Sequence, residues 1–147
     1  MGLRIRDARP ADLDRLEELE SLCFSVPWTR EQLESQMPDA QHVFLAGEED
    51  GCVLGYVGMM TVLDEGYISN VAVAEKARRQ GIADTLLARL DTVAAEYALS
   101  FISLEVRESN LPAIRLYEKN GYEKTGMIPN CYTLPKENAL VMTKTYH

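Results

Sequence analysis

NVAVAEKARRQGIA, at residues 70–83, is the stretch that decides the fold class. It begins as an apolar strand and passes through a loop with two adjacent arginines, Arg78 and Arg79, into the start of a helix. The first N–H groups of a helix have no partners within it, and the aligned peptide dipoles make that end locally positive. Gly81 would let the backbone approach an anion without a Cβ in the way. The stretch therefore predicts a strand–loop–helix unit that binds phosphate, with a helix start beside a surface basic cluster as the plainer alternative.

The patterns on either side of this stretch predict an α/β fold. A helix over residues 78–97 carries an apolar stripe that includes Ile82, Leu86 and Leu90. Alternation predicts a strand over 101–107, and Asn110 caps a helix that ends at Lys119. Further strands are predicted over 3–6, 42–47, 52–63, 67–74, 122–128 and 139–145, with helices starting at Pro10 and Thr29. The order β-α-α-β-β-β-α-β-α-β-β predicts one α/β domain over residues 1–147, built on a mixed sheet.

Composition narrows the class of protein. The chain has 147 residues, of which 46% are hydrophobic and 26% charged, as in an ordinary soluble domain. Its net charge of −8 argues against direct nucleic-acid binding, which rewards clustered positive charge. The longest apolar stretch, residues 52–63, is too short to span a bilayer, and the first residues lack an apolar signal core. We therefore expect a cytoplasmic protein without a membrane partner.

The charge is unevenly distributed along the chain. Residues 1–54 carry 5 basic and 12 acidic side chains, whereas residues 55–147 carry 10 basic and 11 acidic ones. One interpretation is a solvated acidic helix near the N-terminus. The other is an acidic surface that attracts a cationic partner, opposite a less negative surface that binds an anion.

Cysteines and histidines predict neither a metal site nor a histidine triad. Cys23, Cys52 and Cys131 are too widely spaced for a zinc or redox motif, so we expect reduced thiols. His42 lies in a predicted strand, and His147 is the only other histidine. Acid–base chemistry would therefore use carboxylates or tyrosines.

The loop at residues 78–83 matches neither common nucleotide-binding motif. A Walker A loop needs Gly-Lys-Ser or Gly-Lys-Thr, and no such triplet occurs in the chain. The three-glycine fingerprint of dinucleotide sites is also missing at this loop.

Three segments resemble the GNAT superfamily of N-acetyltransferases. Residues 78–83, RRQGIA, are similar to its Gln/Arg-x-x-Gly-x-Gly/Ala signature. Residues 104–110, LEVRESN, and 113–122, AIRLYEKNGY, resemble its second block of acetyl-CoA contacts. With Pro27-Trp28 upstream, the first of these runs most resembles the bacterial ribosomal-protein alanine N-acetyltransferases. The likeness covers nearly the whole chain and implies the N-acetyltransferase fold, a single, mostly antiparallel mixed sheet flanked by helices.

This resemblance implies acetyl-CoA as the co-substrate and no metal. The strand at residues 71–73 matches the one that holds the acetyl group and the pantetheine arm, and that parts from the next strand to open a slot. Residues 79–84 match the loop and helix start around the pyrophosphate, and Asn110 matches a pantetheine contact. The implied cofactor-binding residues, with Arg78 added for its charge, are Val71, Ala72, Val73, Arg78, Arg79, Gln80, Gly81, Ile82, Ala83, Asp84 and Asn110.

The resemblance also implies a general base, Glu105, and a general acid, Tyr117. An amine needs a free lone pair to attack a thioester, so a carboxylate that accepts its proton suits the reaction. Strand alternation puts Glu105 on the face opposite Leu104 and Val106, toward the slot or solvent. The alternatives are a charged residue on an exposed strand face, and a tyrosine that only packs below Ala113 with its hydroxyl in water.

Three residues are candidates for acceptor binding. Trp28 lies in the loop between the first two helices, which in this family helps to form the acceptor groove; it would equally serve as a core anchor. Glu65 at a strand start would bind an amino group, or it is a solvated turn acid. Tyr132 lies in a late loop that covers the acceptor peptide in this branch, although Pro129-Asn130-Cys131-Tyr132 departs from the basic residues and Tyr-Tyr pair expected there.

The expected function is acetyl transfer from acetyl-CoA to the N-terminal α-amine of a protein, a basic ribosomal protein with N-terminal alanine. An alternative enzyme would acetylate a lysine side chain or a small-molecule amine. A rival from another class is a non-catalytic acyl-CoA-binding sensor.

Overall fold

The computed structural model describes residues 2–133 and 135–146. The elements in chain order are β1 (Arg4–Asp7), α1 (Leu13–Cys23), α2 (Arg30–Ser35), β2 (His42–Glu49), β3 (Cys52–Val62), β4 (Glu65–Val73), α3 (Ile82–Tyr97), β5 (Phe101–Arg107), α4 (Leu111–Lys119), β6 (Glu123–Thr133) and β7 (Lys136–Thr145). Two short 3₁₀ turns, Pro10–Asp12 and Glu75–Ala77, precede α1 and α3. Every predicted strand and helix is therefore present, in the predicted order.

The strands form one seven-stranded sheet in the order β1-β2-β3-β4-β5-β7-β6. Only β4 and β5 pair in parallel, and every other neighbouring pair is antiparallel. The prediction of a mixed, mostly antiparallel sheet flanked by helices is confirmed.

The sheet opens where β4 meets β5. These strands pair only at Glu65–Phe101, Gly66–Ile102 and Tyr67–Ser103, although β4 continues to Val73 and β5 to Arg107. From residue 68 onward, β3 is the one described strand that pairs with β4, and a register shift at Gly58/Met59 accompanies the change. Where β4 and β5 separate, one backbone edge of β4 therefore faces a gap.

Helices α3 and α1 both pack against β4, which forms one side of this gap. The buried stripe of α3 is Ile82, Leu86, Leu87, Leu90 and Ala94, and the helix packs against β1 to β4. Helix α1 buries Leu13, Leu16 and Leu19 and packs against α2 and β4. Burying a leucine stabilises the fold by roughly 1.5–3 kcal/mol, so both helices are packed firmly against β4.

Several boundaries differ from the sequence prediction, most of all at the start of α3 and in the β6–β7 hairpin. Helix α3 begins at Ile82 instead of residue 78, because Arg79 and Gly81 have φ of +66° and +78°, which no α-helix accommodates. Strands β6 and β7 extend toward each other to Thr133 and Lys136. The alternation of apolar and polar residues does not predict this extension, because the β6–β7 register shifts between Ile128 and Tyr132 and Asn130 has a φ of +54°.

In the parts of the chain that the structure describes, no helix has the length and apolarity needed to cross a membrane. His147 lies outside the described residues.

Candidate active site

Two adjoining cavities lie along the part of β4 that does not pair with β5. The first, here the α3 cavity, measures about 620 Å³ and lies against the loop and first turn of α3. The second, here the hairpin cavity, measures about 500 Å³ and reaches the end of the β6–β7 hairpin. Both are within the usual range for small-ligand sites, roughly 300–1,000 Å³. Val71, Asn110 and Tyr117 line both cavities, so the two form one continuous cleft.

Backbone conformation shapes the α3 cavity. Arg79 and Gly81 both turn through positive φ immediately before Ile82, the first residue of a 16-residue helix. A Cβ built on Gly81 would meet no atom within 4 Å, so the space above this backbone is open. The helix presents unpaired N–H groups and the positive end of its dipole to that space, which suits a phosphate.

Basic side chains surround this helix end. Arg78 and Arg79 line the α3 cavity, as do Arg115 and Lys119 from α4. The Arg78 guanidinium is held by the Val73 carbonyl at 3.2 Å and by the Cys23 thiol sulfur at 3.6 Å. Arg115 and Lys119 were missed by sequence reasoning; their i, i+4 spacing on one helix face is the signal that could have identified them.

Asp84 and Gln80 have structural partners in this region. Asp84 lines the α3 cavity and accepts hydrogen bonds from Asn120 at 2.9 Å and Lys119 at 3.1 Å, which ties α3 to α4. Burial acts to raise the pKa of Asp84, but these hydrogen bonds outweigh it and the pKa is lowered. Gln80 lies outside both cavity linings, and its side chain donates to the Lys76 carbonyl at 3.4 Å.

The remaining predicted cofactor residues lie along the cleft. Val71, Ala72 and Val73 line the α3 cavity together with Ile82 and Ala83. Asn110 lines both cavities while its side-chain oxygen accepts from the Ala113 N–H at 3.3 Å and caps α4. The Asn110 amide nitrogen is therefore the part of that side chain with donors to offer a ligand.

Glu105 and Tyr117 meet in the hairpin cavity. Glu105 is exposed on β5 between the buried Leu104 and Val106, and the Cys131 thiol donates to its carboxylate at 3.6 Å. Tyr117 is 8% exposed and lines both cavities. Burial, with a smaller contribution from Tyr132, raises the pKa of Tyr117 to about 12. A carboxylate acceptor and a protonated hydroxyl donor thus border the same space.

The β6–β7 hairpin is braced against β5 beside this pair. The Arg107 guanidinium stacks 4.2 Å above the centre of the Tyr132 ring and donates to the Pro135 carbonyl at 2.9 Å. Glu137 accepts from Arg107 at 3.4 Å and from the Ser109 N–H at 2.5 Å. Tyr132 lines the hairpin cavity and is held there by a cation–π contact.

Two acceptor candidates lie elsewhere. Trp28 is half-buried against the core, outside both cavity linings. Glu65 accepts a hydrogen bond from the Tyr67 hydroxyl at the paired end of β4, away from the open part of the gap. The helix–helix loop instead lines the hairpin cavity with Phe24, Ser25 and Val26.

The acidic side chains of the N-terminal third also lie away from the cleft. Of the residues described between 2 and 54, no aspartate or glutamate lines either cavity. Several are paired instead, including Asp12 with Arg6 at 2.8 Å and Asp14 with Arg30 at 2.8 Å. This arrangement favours the interpretation of a solvated, internally paired acidic surface.

Comparison with known proteins extends these observations. The model of the acetyltransferase (GNAT) family matches residues 13–122. The Haemophilus influenzae protein named ribosomal protein bS18 alanine N-acetyltransferase is 33% identical over 141 residues, covering 94% of this chain and 95% of the relative. The crystal structure of the ribosomal-protein-S18-alanine N-acetyltransferase from Escherichia coli has a TM-score of 0.90 at 27% identity, covering 98% of this chain and 94% of the other.

A third comparison concerns a bound ligand. Arabidopsis thaliana NAA60, solved in complex with acetyl-CoA, shares the fold with a TM-score of 0.90 at 21% identity, over 99% of this chain and 100% of that one. The matched family model and the close relative lead to one conclusion: the chain belongs to the GNAT acetyltransferase family and is an N-acetyltransferase.

Proposed function

We propose that this enzyme transfers the acetyl group of acetyl-CoA to the N-terminal α-amine of a protein, with a ribosomal protein that begins with alanine as the acceptor. The observation that carries the proposal is the joint position of Glu105 and Tyr117 at the opening between β4 and β5. A phosphate-suited helix end lies on one side of them and an open cavity on the other.

The α-amine follows from the chemistry of the relatives' acceptor. The H. influenzae and E. coli proteins are named for alanine in a ribosomal protein. Alanine has no nitrogen in its side chain, so the α-nitrogen must react, and it is a free amine only at a chain start. We extend that acceptor class to this chain because the likeness covers 94% of its length.

Each step has a residue of this chain. Glu105, directly or through one water, accepts the proton of the attacking amine as nitrogen bonds to the acetyl carbon. The unpaired edge of β4 at Val71 to Val73 supplies backbone N–H groups that stabilise the negative oxygen of the tetrahedral intermediate. When the carbon–sulfur bond breaks, Tyr117 donates its proton to the leaving sulfur. The pKa of Tyr117, raised to about 12 by burial, keeps the hydroxyl in its donor form even above the ordinary tyrosine pKa of about 10.

A peptide assay tests the proposal. The protein is incubated with acetyl-CoA and peptides that begin with alanine and contain internal lysines, and mass spectrometry locates the acetyl group. A matched peptide with a blocked α-amine is the control. We expect acetylation at the first nitrogen and none on the blocked peptide.

The other outcomes identify the rivals. Equal acetylation of lysine on the blocked peptide would assign a lysine acetyltransferase. If the protein binds acetyl-CoA but releases no free CoA thiol in the presence of any amine, it is a sensor.

A further inference from the structure

Glu20 is a buried carboxylate outside the two cavities. It lies on α1 and is 1% exposed. Its oxygens accept hydrogen bonds from the Trp28 backbone N–H at 2.7 Å, from the Asn70 side chain at 2.8 Å and from the Tyr56 hydroxyl. Burial raises the pKa of Glu20, and the Trp28 and Asn70 hydrogen bonds oppose that shift. One side chain thus joins α1 to β3, β4 and the α1–α2 loop.

One of these donors, Asn70, lines the hairpin cavity, and another, the Trp28 N–H, follows the loop that lines it. The Trp28 N–H is at the end of the loop whose residues Phe24, Ser25 and Val26 form one wall. Asn70 is in the part of β4 that pairs with β3 but not with β5, forms another wall and precedes Val71. Glu20 therefore bridges the two walls from behind, without reaching the cavity itself.

Glu20 is one of the contacts that hold the α1–α2 loop. Between the end of α1 at Cys23 and the start of α2 at Arg30 the loop has no regular secondary structure. Phe24 is tied back to α1 through the Glu20 carbonyl at 3.0 Å, and Thr29 caps α2. Between these ends the Glu20 carboxylate fixes the loop at Trp28. A buried carboxylate is costly unless donors surround it, so the loop position that brings the Trp28 N–H to Glu20 is favoured.

We propose that Glu20 is a positioning residue for the acceptor: by joining the Trp28 N–H to Asn70, it sets the spacing between the α1–α2 loop and β4 that admits the incoming amine. The proposal rests on the proposed function, since it assumes that the acceptor enters the hairpin cavity. It also predicts that acetyl-CoA binding does not depend on Glu20.

Glu20→Gln tests this role, because it keeps the side-chain shape while replacing one accepting oxygen with an NH₂ group that faces donors. Tyr56→Phe is the matched control: it removes a donor from the same carboxylate but leaves the link from Trp28 to Asn70 intact. We expect Glu20→Gln to raise the acceptor KM at least about fivefold, with kcat and the Kd for acetyl-CoA within about twofold. Tyr56→Phe should leave the acceptor KM within about twofold.

Tryptophan fluorescence gives a second readout that needs no acceptor. Trp28 is the only tryptophan in the chain and follows the loop directly. Its emission should shift to longer wavelength in Glu20→Gln and not in Tyr56→Phe. If Glu20→Gln does not fold, Asn70→Ala breaks the same link from β4 and should both raise the acceptor KM and shift Trp28 emission to longer wavelength. Because Asn70 also lines the hairpin cavity, a rise in KM without that shift would overturn the proposal.

The proposal is overturned by either of two further results. One is a folded Glu20→Gln protein with unchanged acceptor KM and Trp28 emission. The other is an equal rise in acceptor KM in Tyr56→Phe, which would reflect general loosening. If wild-type protein acetylates another kind of amine, the proposed function fails, and the same KM comparison with that amine still tests Glu20.

Discussion

The α3 cavity and the hairpin cavity lie side by side but are built in opposite ways. The α3 cavity takes much of its shape from one continuous segment, residues 71–84, in which positive φ at Arg79 and Gly81 leads into the first turn of α3, and residues of α4 complete its lining. The hairpin cavity is assembled from side chains of the α1–α2 loop, β4, β5 and the β6–β7 hairpin, which are distant in sequence. A local stretch of backbone can thus shape a phosphate-suited helix end, whereas the hairpin cavity exists only where the folded chain brings distant segments together.

The largest expected effect is at Tyr117, where the cavities meet. Tyr117→Phe keeps the ring and removes the proton donor, so kcat should fall by roughly 10²–10⁴-fold while the Kd for acetyl-CoA stays within about twofold. Tyr122→Phe is the control, since that buried ring packs 6.0 Å from Tyr117 but lies outside both cavity linings. Equal loss of kcat in both variants would assign Tyr117 to packing alone.

The pH profile examines the same hydroxyl. Because the pKa of Tyr117 is raised to about 12, the donor stays protonated well above the usual tyrosine pKa of about 10. We expect the wild-type kcat to hold from pH 8 to pH 10. A fall in kcat with a midpoint near 10 that Tyr117→Phe abolishes would contradict the assigned burial.

Glu105 should give the next largest effect and should act on the acceptor side only. Glu105→Gln removes the proton acceptor, and we expect kcat/KM for a peptide amine to fall by roughly 10²-fold with acetyl-CoA affinity unchanged. Glu108→Gln, an exposed neighbour outside both cavity linings, should retain full activity. An intact rate for Glu105→Gln in steady-state assays would remove Glu105 from the chemistry.

A substitution of Gly81 tests the α3 cavity. Gly81→Val should weaken acetyl-CoA binding by about tenfold, about 1.4 kcal/mol, because a branched side chain would fill the space a phosphate needs. Strain at positive φ also lowers stability by about 1–2 kcal/mol. Gly51→Val is the matched control, since Gly51 has φ +79° and equally open surroundings in the β2–β3 turn. Calorimetry should show weaker binding in Gly81→Val alone, and equal binding in both variants would show that the phosphate lies elsewhere.

Arg107 should give a smaller effect, confined to the acceptor. Arg107→Lys keeps the charge but loses the planar stack on Tyr132, a contact of about 0.5–1 kcal/mol. The acceptor KM should rise by about two- to fivefold with the Kd for acetyl-CoA unchanged. A change in acetyl-CoA affinity instead would mean that the two sides of the cleft are not separable.

The smallest effect concerns salt. Because the N-terminal acidic residues lie outside the cavity linings and several pair with arginines, ionic strength should change the KM of a basic peptide by less than about twofold. Steady-state rates of a basic and a neutral peptide across a salt series measure this. A KM for the basic peptide alone that climbs steeply with salt would restore the acidic surface as an acceptor-binding region.

The sequence predicts the α3 cavity well and the hairpin cavity poorly. Residues 70–83 carry the strand, loop, glycine and helix start in one local pattern, and Glu105 could be assigned to a face by strand alternation. The contact between Cys131 and Glu105 joins segments that local periodicity does not relate. Trp28 shows a second limit of sequence-based prediction. An aromatic residue in a groove-forming loop can face either the groove or the core, and Trp28 packs against the core.

The central claim is that an α-amine and acetyl-CoA meet where β4 and β5 part. The most direct measurement is the affinity of CoA joined through an acetyl bridge to the α-amine of an alanine peptide, against CoA alone. The control is the same conjugate joined through a lysine of an α-blocked peptide. Linking two ligands whose sites adjoin should increase affinity by about 100-fold or more. The account predicts that gain for the α-linked conjugate and less than about tenfold for the lysine-linked one; equal or tighter binding of the lysine-linked conjugate would contradict it.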